Sequence, residues 1–158
     1  AIAAILSSLA APSFTNMIKD NRMTTQFNEL LTSMSLARSE AIKRGLPVTA
    51  CKSNDQDGTP SCAGNWHDGW IVYVDNNSDG VIDAGEEIIQ MTPALSGGNT
   101  LSFARNRVTY EADALATGFT GTFTLCDDRQ NSDRKGLIVS NTGRVRQAIA
   151  ADALANCP

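Results

Sequence analysis

The chain has 158 residues and a net charge of −4, which is room for one globular domain with an appendage and enough to bury a core without metals or staples. Charged residues at 19% and hydrophobic ones at 42% make a folded composition, and the acidic balance excludes a protein whose whole surface grips nucleic acid while leaving a local basic patch open. A single histidine, His67, gives Ser/His/Asp or Cys/His catalysis little to draw on.

The first segment, Ala1 to Ala11, reads AIAAILSSLAA. It is apolar and helix-compatible. It is shorter than the roughly 20 apolar residues of a bilayer span, and it lacks the basic start and cleavage site of a signal peptide. Pro12 is expected to kink the helix rather than end it. From Met23 the apolar positions Met23, Phe27, Leu30, Met34, Ala37 and Ala41 step by four and three, forming one stripe with Asn28, Glu29, Arg38, Lys43 and Arg44 largely off it. Gly45 and Pro47 stop the helix after basic residues in its last turn. One long helix to about Arg44 is predicted. Its stripe packs on a sheet, and its first half must be buried in something other than its own head.

After Gly45 the period changes. Val48–Cys51, Trp70–Val74, Glu87–Met91, Thr100–Phe103, Arg107–Tyr110, Gly121–Cys126 and Gly136–Ser140 read as short strands separated by Gly, Asn, Asp and Ser clusters. One helix followed by many strands is an α+β chain with an antiparallel sheet. Residues 1–22 are the hydrophobic half-helix and residues 23–158 the globular head. Cys51, Cys62, Cys126 and Cys157 have neither CxxC nor zinc spacing, so two disulfides in an oxidising compartment are expected. Sequence alone does not choose among the pairings. Cys51–Cys62 closes a short loop and is preferred, which leaves Cys126 to pin the C-terminus through Cys157.

The order of these features resembles a known family. An apolar segment ending in Pro12-Ser13-Phe14 continues as an amphipathic helix closing with Ala37-Arg38-Ser39-Glu40-Ala41-Ile42-Lys43-Arg44-Gly45. A strand with Cys51, Gly69-Trp70 opening another, an Asp/Asn/Gly turn with Gly85-Glu86, Gly121-Thr122-Phe123-Thr124-Leu125-Cys126, and Gly143-Arg144-Val145-Arg146 follow. Over nearly the whole chain this is similar to the FimT/GspH family of minor type IV pilins and type II secretion pseudopilins. The family's cleavage site, its Phe-Thr-Leu-Ile-Glu start and its filament-assembly glutamate have no counterpart here. By the position of Pro12, about two or three helical turns of 3.6 residues are expected to be missing.

The resemblance implies a type IV pilin-like fold, no enzymatic activity, and other pilin or pseudopilin subunits as partners. It also implies a head outside the cytoplasm of a Gram-negative bacterium. The apolar half-helix would sit first in the inner membrane and then in the core of a filament, environments that suit a self-satisfied helix with small residues.

Three stretches carry candidate chemistry. Asp75 to Glu86 (DNNSDGVIDAGE) matches the calcium-loop pattern, with Asp75, Asn77, Asp79, Asp83 and Glu86 as oxygen ligands and Gly80 at the sharp turn. Its flanks read as strands rather than EF-hand helices, so a solvated hairpin loop is the competing reading. Asp75, Asp79, Asp83 and Glu86 could also supply paired carboxylates for acid–base work, but they crowd one polar loop, where solvation is cheap. Trp66, His67, Trp70 and Tyr73 can be a stacking surface for sugar or bases. The stronger reading is a strand with one core face and His67 on a surface loop.

The third stretch is Ser140 to Ile149. Asn141-Thr142-Gly143 makes a turn, after which Arg144 and Arg146 share a face if the chain is extended. Each guanidinium can fork onto a phosphate, and Gly143 leaves room for a nucleic-acid backbone. In the FimT branch such a Gly-Arg-x-Arg motif marks DNA-binding minor pilins of natural transformation, which makes double-stranded DNA the expected partner. Arg134 and Lys135 are candidates to extend the patch, as are Arg105 and Arg107. The competing readings are a solvated face or ion pairs with neighbouring Asp, in a purely structural pseudopilin.

Overall fold

The computed structural model of the chain describes residues 2–55, 58–129, 133–149, 152 and 154–157, of which residues 2–13 as helix backbone alone. The side-chain environment expected for Ala1–Ala11 therefore lies outside the described residues. Helix α1 spans Ile2–Arg44, passing through Pro12. The predicted stripe is the packed face: Met23, Phe27, Leu30, Met34, Ala37 and Ala41 are all buried. Burying each of the four larger side chains stabilises the fold by about 1.5–3 kcal/mol. N-terminal to the stripe the helix leaves the head, with Phe14 65%, Met17 60% and Ile18 49% exposed. Ion pairs of Lys19 with Asp128 and of Asp20 with Arg129 fasten it at that point. Among the described residues no helix is long and apolar enough to cross a membrane.

The strands are β1 (Val48–Lys52), β2 (Trp70–Val74), β3 (Ile88–Thr92), β4 (Thr100–Ser102), β5 (Arg107–Tyr110), β6 (Gly121–Cys126), β7 (Lys135–Val139) and β8 (Val145–Gln147). They form two four-stranded sheets, ordered β3-β2-β1-β5 and β4-β6-β7-β8, and the pairings within them are antiparallel. Strand β8 has no apolar alternation of its own. Its place is set by pairing with β7, Ile138 opposite Arg146 and Val139 opposite Val145. The main core lies between α1 and both sheets, and it includes Trp70, Val72, Val108, Tyr110, Phe123, Leu125 and Leu137.

The aromatic stretch is core. Trp66, Trp70 and Tyr73 are buried. Trp66 stands edge-on to Phe123 at 4.8 Å, Phe123 stacks on Phe103 at 3.9 Å, and Trp66 Nε1 donates to the Arg105 carbonyl. The expectation of a single buried face on β2 needs correction. Ile71 and Tyr73, on the other face, form a second small core with Cys51, flanked by Cys62, Ile82 and Ile88. The physical cause is the Cys51–Cys62 disulfide, which folds its loop over that face. The second disulfide joins Cys126 to Cys157, so both preferred pairings are present.

Candidate phosphate-contact face

Strands β7 and β8 are joined through Asn141-Thr142-Gly143. Gly143 N donates to Ser140 O at 2.9 Å, and Ser140 N donates to Arg144 O at 3.0 Å. Gly143 sits at φ 71°. A three-residue hairpin loop of this kind ends in a left-handed residue, which is why Asn-Thr-Gly fits it. Gly143 is also buried against the loop before β6, where a Cβ would lie 2.0 Å from the Ala114 carbonyl oxygen. The turn is therefore docked on the head.

This hairpin brings Arg144 and Arg146 onto one exposed face. Together with Ile138, Ser140 and Thr142 they line a shallow groove of about 220 Å³. The two arginines differ in their partners. Arg146 Nη1 and Nη2 donate to Asp152 Oδ2 and Oδ1 at 2.8 and 2.9 Å. That fork, and then the Ile149 amide, depress the Asp152 carboxyl from its ordinary 3.8 to about 2. A depressed carboxylate pKa means the pair is formed above the ordinary value and lost only as pH falls through about 2. Arg146 is thus charge-matched throughout the neutral and mildly acidic range. Arg144 is exposed and has no ion-pair partner among the described residues.

The other basic candidates lie elsewhere. Lys135 faces the opposite side of β7, where Nζ donates to Thr24 Oγ1 and sits 6.0 Å from the Phe27 ring centre. Adjacent strand residues point to opposite faces, so Lys135 belongs with buried Leu137 and Val139. Arg134 binds the C-terminal tail through the Ala155 carbonyl and Asn156 Oδ1. Arg107 belongs to the other sheet, with its guanidinium 5.7 Å from the Phe119 ring centre. Sequence reasoning passed over two residues. Asp152, six residues beyond Arg146, is one. Arg38 is the other: it faces Gly143 and Arg144 across a cleft of about 300 Å³ between α1 and the hairpin turn.

The acidic loop is brought together but is closed by its own hydrogen bonds. Asp75 is buried, and its Oδ2 accepts from Thr49 Oγ1 and Gly80 N. Asn77 Nδ2 donates to both Asp79 and Asp83, while the Glu86 oxygens accept from Asn76 N and Asp83 N. Among the described residues no group of three or more His, Cys, Asp or Glu side chains is placed to hold a metal ion.

The sequence matches the model of the family described as "Type II transport protein GspH" over residues 26–143. Two crystal forms of the type IV minor pilin FimU of Pseudomonas aeruginosa share the fold. The first has TM-score 0.69 and 19% identity, covering 90% of this chain and 99% of that one. The second has TM-score 0.60 and 19% identity, covering 83% and 96%. The minor pseudopilin EpsH of the Vibrio cholerae type 2 secretion system is similar at TM-score 0.59 and 12% identity, covering 83% and 99%. No curated protein matches the sequence.

Proposed function

The chain belongs to the GspH family of type II transport proteins, and from that membership we propose that it is a minor pilin whose head contacts double-stranded DNA. On this reading the first half of α1 sits in the inner membrane before assembly and then in a filament with other pilins. Phe14, Met17 and Ile18, exposed on the part that leaves the head, support packing against neighbouring helices. The observation that carries the DNA reading is the shared exposed face of Arg144 and Arg146 beyond a docked glycine turn. Guanidiniums on such a face bind phosphates irrespective of base sequence. The role that follows is capture of DNA for uptake in natural transformation.

Fluorescence anisotropy with short duplex DNA across a salt series tests this reading. Wild type is expected to bind salt-sensitively. The Arg144→Ala/Arg146→Ala variant, with an unchanged circular dichroism spectrum, is expected to lose about 1.8 from the slope of log K against log salt, about 0.9 for each phosphate contact. Absence of wild-type binding at low salt overturns it.

The Asp152 fork favours a second reading, a structural minor pseudopilin without DNA, because it neutralises half of the arginine pair. The two readings separate on Asp152→Asn. A DNA-binding head, whose Arg146 no longer has to leave Asp152 for a phosphate, binds more tightly. A structural subunit shows no binding in either form.

A further inference from the structure

We infer that the cleft between α1 and the hairpin turn is a phosphate site in which Arg38 and Arg144 grip one phosphodiester; as applied to DNA, this rests on the reading above. The two guanidiniums line the same cleft, and neither has an ion-pair partner among the described residues. Lys19, Lys43, Arg44, Arg129 and Arg146 are paired with carboxylates, whereas Arg38 and Arg144 line one cleft with no carboxylate between them among the described residues. Two like charges left facing one cavity repel each other until an anion enters between them.

The geometry favours a guanidinium-only grip. Arg38 is half-buried, and its Nε donates to the Ala114 carbonyl at 3.4 Å. That long contact leaves the terminal nitrogens for a ligand, in the fork that matches phosphate oxygens. Gly143 packs on the same carbonyl, and Ala116 N donates to Asn141 O at 3.0 Å, so Arg38 and the arginine turn meet on one loop. Ser35 and Ser39 also line the cleft, but their hydroxyls donate to Leu31 O and Leu36 O within the helix. The cleft also has an apolar wall in Ile42, 56% exposed. A diester brings sugar carbons to such a wall, which inorganic phosphate does not. Arg144 stands in both the cleft and the groove that holds Arg146. Successive phosphates of one strand would therefore lie at the Arg38–Arg144 pair and at Arg146.

The test has two arms on the whole folded chain. In the first, the arginine Nε–H resonances are followed by NMR during titration with inorganic phosphate. Arg38 and Arg144 are expected to shift together with one dissociation constant, and Arg38→Gln to abolish the shift at Arg144. No saturable shift at Arg38 with phosphate in the tens of millimolar overturns the site. In the second arm, duplex DNA binding is measured across salt for wild type, Arg38→Gln and Arg38→Lys. Arg38→Gln is expected to weaken binding across the salt series, because one of the two guanidiniums on the shared phosphate is gone, and Arg38→Lys to recover part of the loss. Wild-type affinity and slope in Arg38→Gln, with DNA binding still lost in the Arg144/Arg146 variant, overturns the cleft and leaves the DNA reading intact. Phosphate binding without DNA binding does the reverse: the site stands as one for a small phosphate.

Discussion

Gly143→Ala is expected to destabilise the head by about 2–4 kcal/mol and to displace the arginine turn. Two effects add. A non-glycine residue at φ 71° costs about 1–3 kcal/mol. The new methyl would also lie 2.0 Å from the Ala114 carbonyl oxygen, which is backbone and already bonded to Arg38 Nε. The two effects can be told apart. Asn tolerates the left-handed region, so strain alone predicts that Gly143→Asn is milder than Gly143→Ala. Contact with the carbonyl predicts that Asn, carrying the same Cβ, is at least as damaging. Urea melts of both variants decide between these outcomes. Because the turn rests on the oxygen that Arg38 Nε contacts, both variants should also weaken phosphate binding beyond what their residual folded fraction explains.

The helix was legible from the sequence because only one face of it is buried; a period of 3.6 then writes the core directly into the chain. Met23 to Ala41 is that case. Strand β2 was legible as a strand, but not in its depth. In WIVYV both faces are apolar, and what covers Ile71 and Tyr73 is the short loop closed by Cys51–Cys62. The basic candidates are spread apart for a related reason. Arg134 and Lys135 are neighbours in the chain, yet Arg134, just before β7, reaches the C-terminal tail while Lys135 packs on Thr24 and Phe27, a difference set by tertiary contacts. Arg38 reads as a solvated helix position until the hairpin turn docks beside it. The Arg146–Asp152 pair spans six residues and is set by the turn in which Asp152 also accepts from Ile149 N, whereas the sequence alone offers it only as an ion pair with a neighbouring Asp.

Cys126→Ser/Cys157→Ser is expected to cost about 3–4 kcal/mol, the larger of the two disulfide effects. The bond spans 31 residues against 11 for Cys51–Cys62, and the entropy removed from the unfolded chain grows with loop length. The shorter loop predicts about 3 kcal/mol. The longer bond also has a local consequence. The tail is held by Arg134 at the Ala155 carbonyl and Asn156 Oδ1, and by Leu154 over Gly136, where a Cβ would lie 2.3 Å from Leu154 Cδ2. These exposed polar contacts are weak by themselves, so release of Cys157 should let the tail fray. Asp152 then spends less time on Arg146. Denaturant melts should show the stability loss, and hydrogen exchange should show lost protection from Asp152 to Asn156. If the head contacts DNA, the double variant measured well below its melting point should bind DNA more tightly than wild type, approaching Asp152→Asn. A double variant that melts like wild type and keeps its tail protected would show that Leu154 and Arg134 hold the C-terminus without the disulfide.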